Sequence, residues 1–285
     1  VDARPNMIKL CRLSAPFTDR DLVQGFEGYG AVVIDTPGSS MEQAKAMFLD
    51  LERHYGTIIR DESTPEGWYE VSDKGEAADS RYVADTSDHF SLHTDRAFSV
   101  MPPPYMGLLC EAAATSGGES LLADTATLYE YILSEAGDDA LARLFEPFYT
   151  LRRAPHQVQR PLFFYNDHGR VCFAYRGKDM ATEVGFSPEF TPLIRLVEAF
   201  LKEPANSVKL QLAPGQILLV DNHRFLHGRA KFQGRRLLLR LYFSGRNCDA
   251  PVTGFTGNER IDRLVEARGF HRWVSEKGES LPLTV

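Results

Sequence analysis

The sequence predicts a mainly β fold with flanking helices, a sandwich or jelly-roll barrel carried in one domain. Three observations support that class. Short strand-like runs recur at turn-punctuated spacing from residue 105 onward. Helical patterns interrupt these runs without alternating with them one for one, as repeated βαβ units would require. At 285 residues, 43% hydrophobic and 25% charged, the chain has enough apolar side chains to enclose a core, which excludes disorder. A prior of about 150 residues per domain suggests two units, but β-barrels often run to about 250 as one, so 1–285 is read as a single domain.

Along the chain, Asp19 to Tyr29 reads as a helix, and Ala31-Val32-Val33-Ile34 as a buried strand after Gly30. Ser40 caps a second helix, on which Ala44, Met47, Phe48, Leu51 and Tyr55 recur at helical spacing until Gly56. From 61 to 90 the pattern breaks into polar, Gly- and Pro-punctuated sequence holding Trp68, Tyr69 and Tyr82, long enough to lie as a lid over a site. Strands are expected at 105–113, 120–123, 145–151, 162–165, 171–175, 208–212, 216–220 and 237–243. Asp124 or Thr125 caps a helix over 128–136, and Ser187-Pro188-Glu189 opens one through Leu193, Val197 and Leu201 toward Pro204. A last helix covers 258–269, and 153–190 is a second insert.

Charge narrows the function classes. With 32 Lys+Arg against 39 Asp+Glu the net charge is −7, which argues against a protein that grips nucleic-acid phosphates. No window approaches the roughly 18 consecutive apolar residues of a membrane span, and Val1-Asp2-Ala3-Arg4-Pro5 lacks a secretory pattern, so a cytoplasmic location without a membrane partner is expected. Cys11, Cys110, Cys172 and Cys248 form no Cys-x-x-Cys pair and read as buried free thiols.

The chemistry centres on two stretches. His93-Thr94-Asp95 places an imidazole and a carboxylate two residues apart, on one side of an extended segment and within reach of one metal ion. Alone the spacing is weak, since eight histidines and 39 acidic residues give about one such pair by chance. The second stretch, Pro214 through Arg229, is an apolar strand entering a turn at Asp221-Asn222 and then delivering His227. Two imidazoles and one carboxylate are the facial set that holds non-haem Fe(II) with positions left open. His223 competes with His227, but the turn places His223 off the strand.

These residues resemble the Fe(II)/2-oxoglutarate-dependent dioxygenases of the taurine dioxygenase and clavaminate synthase-like group. The likeness spans about residues 31–245 and is densest at Leu92-His93-Thr94-Asp95-Arg96-Ala97-Phe98, at Gly117-Gly118-Glu119-Ser120-Leu121-Leu122-Ala123-Asp124, and from Asp221 to Arg240. It implies a double-stranded β-helix, a cupin-like jelly roll, with His93, Asp95 and His227 as catalytic iron ligands. It further implies that Ser120 and Arg236 hold the distal carboxylate of 2-oxoglutarate. Arg236 and Arg240, four apart, share one strand face, whereas Arg235 points away. Arg240 lies nearer the metal in such proteins, meeting the cosubstrate or an acidic group of the prime substrate; Arg96 is a second candidate for that group. The implied reaction consumes O2 and 2-oxoglutarate, yields succinate and CO2, and hydroxylates, desaturates, cyclises or epoxidises a small anionic or zwitterionic substrate such as an amino-acid derivative. Because Asp95 is present, halogenation is not expected. Two other readings are a non-oxidative Zn(II) or Mn(II) enzyme on the same barrel and a non-catalytic jelly roll that binds a small carboxylate.

Overall fold

The computed structural model describes residues 8–60, 64–75, 82–247 and 249–270. Its frame is two β-sheets packed face to face. The larger has six strands in the order Cys11–Ser14, Ala31–Asp35, Ile217–Asp221, Tyr105–Ala112, Leu237–Phe243, Tyr69–Ser72; the smaller has four, Val208–Leu210, Ser120–Asp124, Phe225–Arg229, Phe90–His93. Neighbours pair antiparallel except the first two strands, whose parallel pairing is closed by the helix Asp19–Tyr29.

Alternation along the strands explains the layering. In Ile217–Asp221, Ile217 and Leu219 face an outer core with Leu22, Phe26, Ala44 and Phe48 of the flanking helices. Leu218 and Val220 face an inner core with Leu122, Leu210 and Phe225 of the smaller sheet. A run of four apolar residues is thus buried on both sides, as a strand between two layers must be. The outer face of the smaller sheet, through Leu92, Leu121, Ala123 and Leu226, packs on the helices Thr125–Arg143, Thr191–Lys202 and Glu259–Ala267.

The mainly β class with flanking helices is therefore observed, and several boundaries differ from the sequence reading. Thr18 and Ser40 each cap a helix with a reciprocal capping box. Asp124 caps the helix from Thr125, which runs on to Arg143 past a non-helical Gly137 (φ 80°). Ser187 provides no cap: a 3-10 turn, Pro188–Phe190, precedes the helix from Thr191. The strand expected from 145 begins at Tyr149, because 142–146 are held in turns by backbone bonds from Leu144, Phe145 and Glu146. The stretch read as an unpatterned lid contributes the edge strand Tyr69–Ser72, bonded to Leu237–Phe243. Tertiary pairing overrides weak local propensity there. The hairpin Tyr149–Arg153/His156–Arg160 straddles the start of the insert, with Glu183–Gly185 along one edge. Cys110 and Cys172 are buried thiols, Cys11 is half-exposed against expectation, and Cys248 lies outside the described residues. Among the described residues no helix is long and apolar enough to cross a membrane.

Candidate active site

His93 ends one strand of the smaller sheet, and His227 is the middle of its neighbour; the two residues are direct partners across the ladder, with rings 4.6 Å apart. Cross-strand partners project to the same face, so pairing alone brings the imidazoles together. Gly228 lets the strands approach: a Cβ there would stand 2.5 Å from the carbonyl oxygen of Phe90, next to the register shift that follows His227. The Phe90 ring stacks on His93 at 4.1 Å.

Asp95 hangs from the turn after His93. Its backbone N–H donates to Asn222 Oδ1 (3.0 Å), while Asn222 Nδ2 donates to the carbonyls of Asp95 (3.1 Å) and Pro103 (2.8 Å). One fully buried amide thereby fixes the turn carrying Asp95 to the turn leading to His227. The Asp95 oxygens lie 3.3 Å from His93 Nε2 and 3.2 Å from His227 Nε2. Ligand atoms of His93, Asp95 and His227 all fall within 4.8 Å of one another, and all three residues are buried. His223 stands apart, its ring nitrogens on Thr253 Oγ1 and the Pro102 carbonyl, each at 3.0 Å.

The protonation pattern suits a metal cation. His93 Nδ1 donates to the Ser91 carbonyl (2.8 Å), which leaves the Nε2 lone pair facing Asp95. Burial lowers the His93 pKa to about 4, so the ring is neutral near pH 7. Burial opposes the charge of Asp95, but Arg240, His227 and His93 together hold its carboxyl well below the usual range. Both ring nitrogens of His227 are buried without a hydrogen bond among the described residues. A lone pair aimed at a carboxylate oxygen is unfavourable unless a cation lies between them, and this donor set fits a first-row divalent metal.

Beside this cluster, Ser120 and Arg236 line one small pocket with Gly118. Arg236 Nε donates to the Gly118 carbonyl (3.0 Å), and its buried Nη1 has no hydrogen-bond partner among the described residues. Gly118 has φ 75°, and a Cβ there would sit 2.9 Å from Arg236 Cδ. Burial, with the neighbouring Arg229, lowers the Arg236 pKa to about 10. A buried guanidinium with spare donors is suited to a carboxylate. Arg235 is exposed, as strand alternation predicts.

Arg96 and Arg240 line a separate cavity of about 500 Å³ that reaches Asp95. Arg240 Nη1 meets both Asp95 oxygens (3.3 and 3.1 Å), and both arginines lie over the Tyr242 ring, 5.1 Å for Arg96 and 5.2 Å for Arg240. Arg96 adopts φ 54°, an uncommon conformation for a non-glycine residue and one that clusters at functional sites.

Sequence reasoning missed Asn222 beyond its turn, and it missed Arg229, Arg153 and Arg176. Arg229 Nη2 donates to the carbonyls of Val83 (3.0 Å), Thr86 (2.6 Å) and Asp88 (2.6 Å), pinning that segment beside the Arg236 pocket. The position of Arg229 two residues after His227 was the available signal; Arg153 and Arg176 had none, since each reaches the cavity from a distant segment.

The sequence profile described as "Taurine catabolism dioxygenase TauD, TfdA family" matches residues 9–242. The chain belongs to the TauD/TfdA family. Trimethyllysine dioxygenase of Gallus gallus, a mitochondrial protein by its name, is 24% identical over 246 residues, 79% of this chain and 55% of that protein. The chain thus spans about half the length of that relative. Among solved structures, asparagine oxygenase superposes with a TM-score of 0.63 at 20% identity, covering 84% of each chain. The non-haem iron oxygenase OrfP, in complex with Fe and alpha-ketoglutaric acid, gives 0.62 at 16% identity, again over 84% of each. The TauD/TfdA chain described here shares their fold.

Proposed function

We propose that this TauD/TfdA chain is an Fe(II)- and 2-oxoglutarate-dependent oxygenase acting on a small, carboxylate-bearing substrate of amino-acid type. The observation that carries the reading is the convergence of His93, Asp95 and His227 within 4.8 Å of one another. The buried, unpartnered Nη1 of Arg236 supports it. When bound, the iron supplies the oxidising chemistry with O2 that couples conversion of 2-oxoglutarate to succinate and CO2 with hydroxylation, or a related oxidation, of a C–H bond.

The chain's own residues have separable tasks in this reading. His93, Asp95 and His227 hold the metal on one face and leave positions for cosubstrate and O2. Arg236 and Ser120 receive the distal carboxylate of 2-oxoglutarate, the guanidinium through charge-assisted hydrogen bonds. Arg240 balances the charge of Asp95 and, with Arg96, faces the prime substrate's carboxylate. The described parts of the first lid segment, 64–75 and 82–90, and the insert of about 153–190 cover the mouth of the site and exclude water, while 61–63 and 76–81 of that lid lie outside the described residues. The facing sheets form the two halves of a double-stranded β-helix within one domain.

Fe(II) followed by 2-oxoglutarate, added under argon, should produce a weak visible charge-transfer band in the unmutated chain. Succinate formation in air should then rise with a carboxylate-bearing substrate. Failure of the band to form would overturn the assignment of both metal and cosubstrate.

A further inference from the structure

The 500 Å³ cavity is lined by several cations, and most are already matched. Lys74 Nζ lies 2.9 Å from Asp85, Arg240 3.1 Å from Asp95, and Arg176 2.6 Å from Asp179. Arg153 differs. It ends the strand Tyr149–Arg153 and lines the same cavity with no hydrogen bond or ion pair among the described residues. Its guanidinium lies over the rings of Tyr82, at 4.9 Å, and Phe98, at 5.2 Å. Phe98 is in turn stacked on His156, the hairpin partner of Arg153, at 5.4 Å.

Ring stacking steadies a guanidinium by its faces and leaves its N–H groups to bond in their own plane. A half-buried arginine held this way, with no ion-paired carboxylate among the described residues, with Arg176 nearby and with Asp179 and Asp95 already paired to Arg176 and Arg240, creates a positive potential that a ligand anion would satisfy. The geometry points to Arg153 as the receptor for a second anionic group on the prime substrate, distinct from the carboxylate assigned to Arg240 and Arg96. The substrate class is an amino acid, or a derivative of one, whose side chain ends in an oxyanion. This rests on the cavity being the prime-substrate site of the oxygenase proposed above. A side chain ending in a trimethylammonium group, as the name of the Gallus gallus relative describes, would meet the wrong charge here.

The test is isothermal titration of the full chain loaded with Mn(II) and 2-oxoglutarate. The probes are L-aspartate, L-glutamate and L-2-aminoadipate, each beside its side-chain amide, together with Nε-trimethyl-L-lysine. At least one acid should bind about tenfold or more tighter than its amide, as one charge-assisted hydrogen-bonded contact provides. Arg153→Gln should bring that acid to the level of its amide and leave the amide and 2-oxoglutarate unchanged, and Arg153→Lys should restore part of the preference. Equal binding of acids and amides, an equal loss of both in Arg153→Gln, tighter binding of trimethyllysine than of every acid, or no binding by any acid while 2-oxoglutarate still binds would each overturn the proposal and leave the oxygenase reading standing. If 2-oxoglutarate itself fails to bind the Mn(II)-loaded chain, both fall together.

Discussion

At the inner end of the cavity, His93 and His227 face each other across paired strands, and Asp95 sits in a turn that Asn222 fixes through two hydrogen bonds, with a third to the Pro103 carbonyl. At the outer end, Tyr82, Phe98 and Arg153 come from segments that do not pair with one another and meet through ring contacts. Backbone pairing leaves a donor little freedom, whereas stacked rings slide at small cost. The contrast matches the demands of each end: metal coordination tolerates displacements of only a few tenths of an ångström, and substrate recognition can be retuned by changing one side chain.

The comparison can be broken most severely at Asp95. Asp95→Ala removes a donor and leaves Arg240 without its carboxylate, so succinate formation should fall below detection and the visible band should not form, with circular dichroism confirming that the chain remains folded. Wild-type turnover by this variant would show that the three donors are not the metal site.

A second probe lies in the scaffold behind the inner end. Burial holds His223 neutral, its pKa lowered to about 4 from the ordinary 6.5. A folded-state value below the unfolded one means that this stability is fully present above pH 6.5 and is lost as pH falls toward 4, a change of up to about 3 kcal/mol. In urea unfolding across that range, the unmutated chain should lose up to that much more stability, relative to its value above pH 6.5, than His223→Gln, whose amide can serve Thr253 and Pro102; His93, lowered to about 4, and Asp221, raised to about 7, contribute to both chains alike.

The pocket of Ser120 and Arg236, proposed for the cosubstrate, offers a smaller effect. Arg236→Gln should raise the 2-oxoglutarate concentration needed for half-maximal succinate formation about 10–100-fold, the cost of losing charge-assisted hydrogen bonds. Metal binding in that variant, measured by titration without cosubstrate, should be unchanged. The smallest change belongs to the outer end, where Phe98→Leu removes one ring under Arg153. It should weaken binding of the preferred substrate about two- to fivefold. Affinities for Mn(II) and 2-oxoglutarate should stay constant, and a loss of metal binding here would erase the distinction between the two ends.

Legibility in the sequence followed the same division. The Asp221 to Arg229 stretch was readable because a turn redirects the chain toward His227; His93 and Asp95 were marked by their spacing, but Asp95 sits in a turn held by Asn222 and not on the extended segment that strand alternation implied. The same alternation chose Arg236 and Arg240 over Arg235, and both line pockets while Arg235 is exposed. The edge strand Tyr69–Ser72 was not readable, since its polar, punctuated sequence forms a strand only against Leu237–Phe243. Asn222 looked like a turn former, and nothing nearby announced that its amide would join residues 127 positions apart.

The sequence by itself determined the mainly β class and the order of the helices, because each depends on periodicity or spacing within a few residues; His93, Asp95 and His227 were singled out together as ligands only through the family resemblance. The tertiary structure alone decided that the two histidines are cross-strand partners, that Arg240 pairs with Asp95, and that Arg153 reaches the cavity without an ion-paired carboxylate among the described residues. Those outcomes depend on which distant strands pair and how their side chains then meet, quantities that no local window of sequence contains.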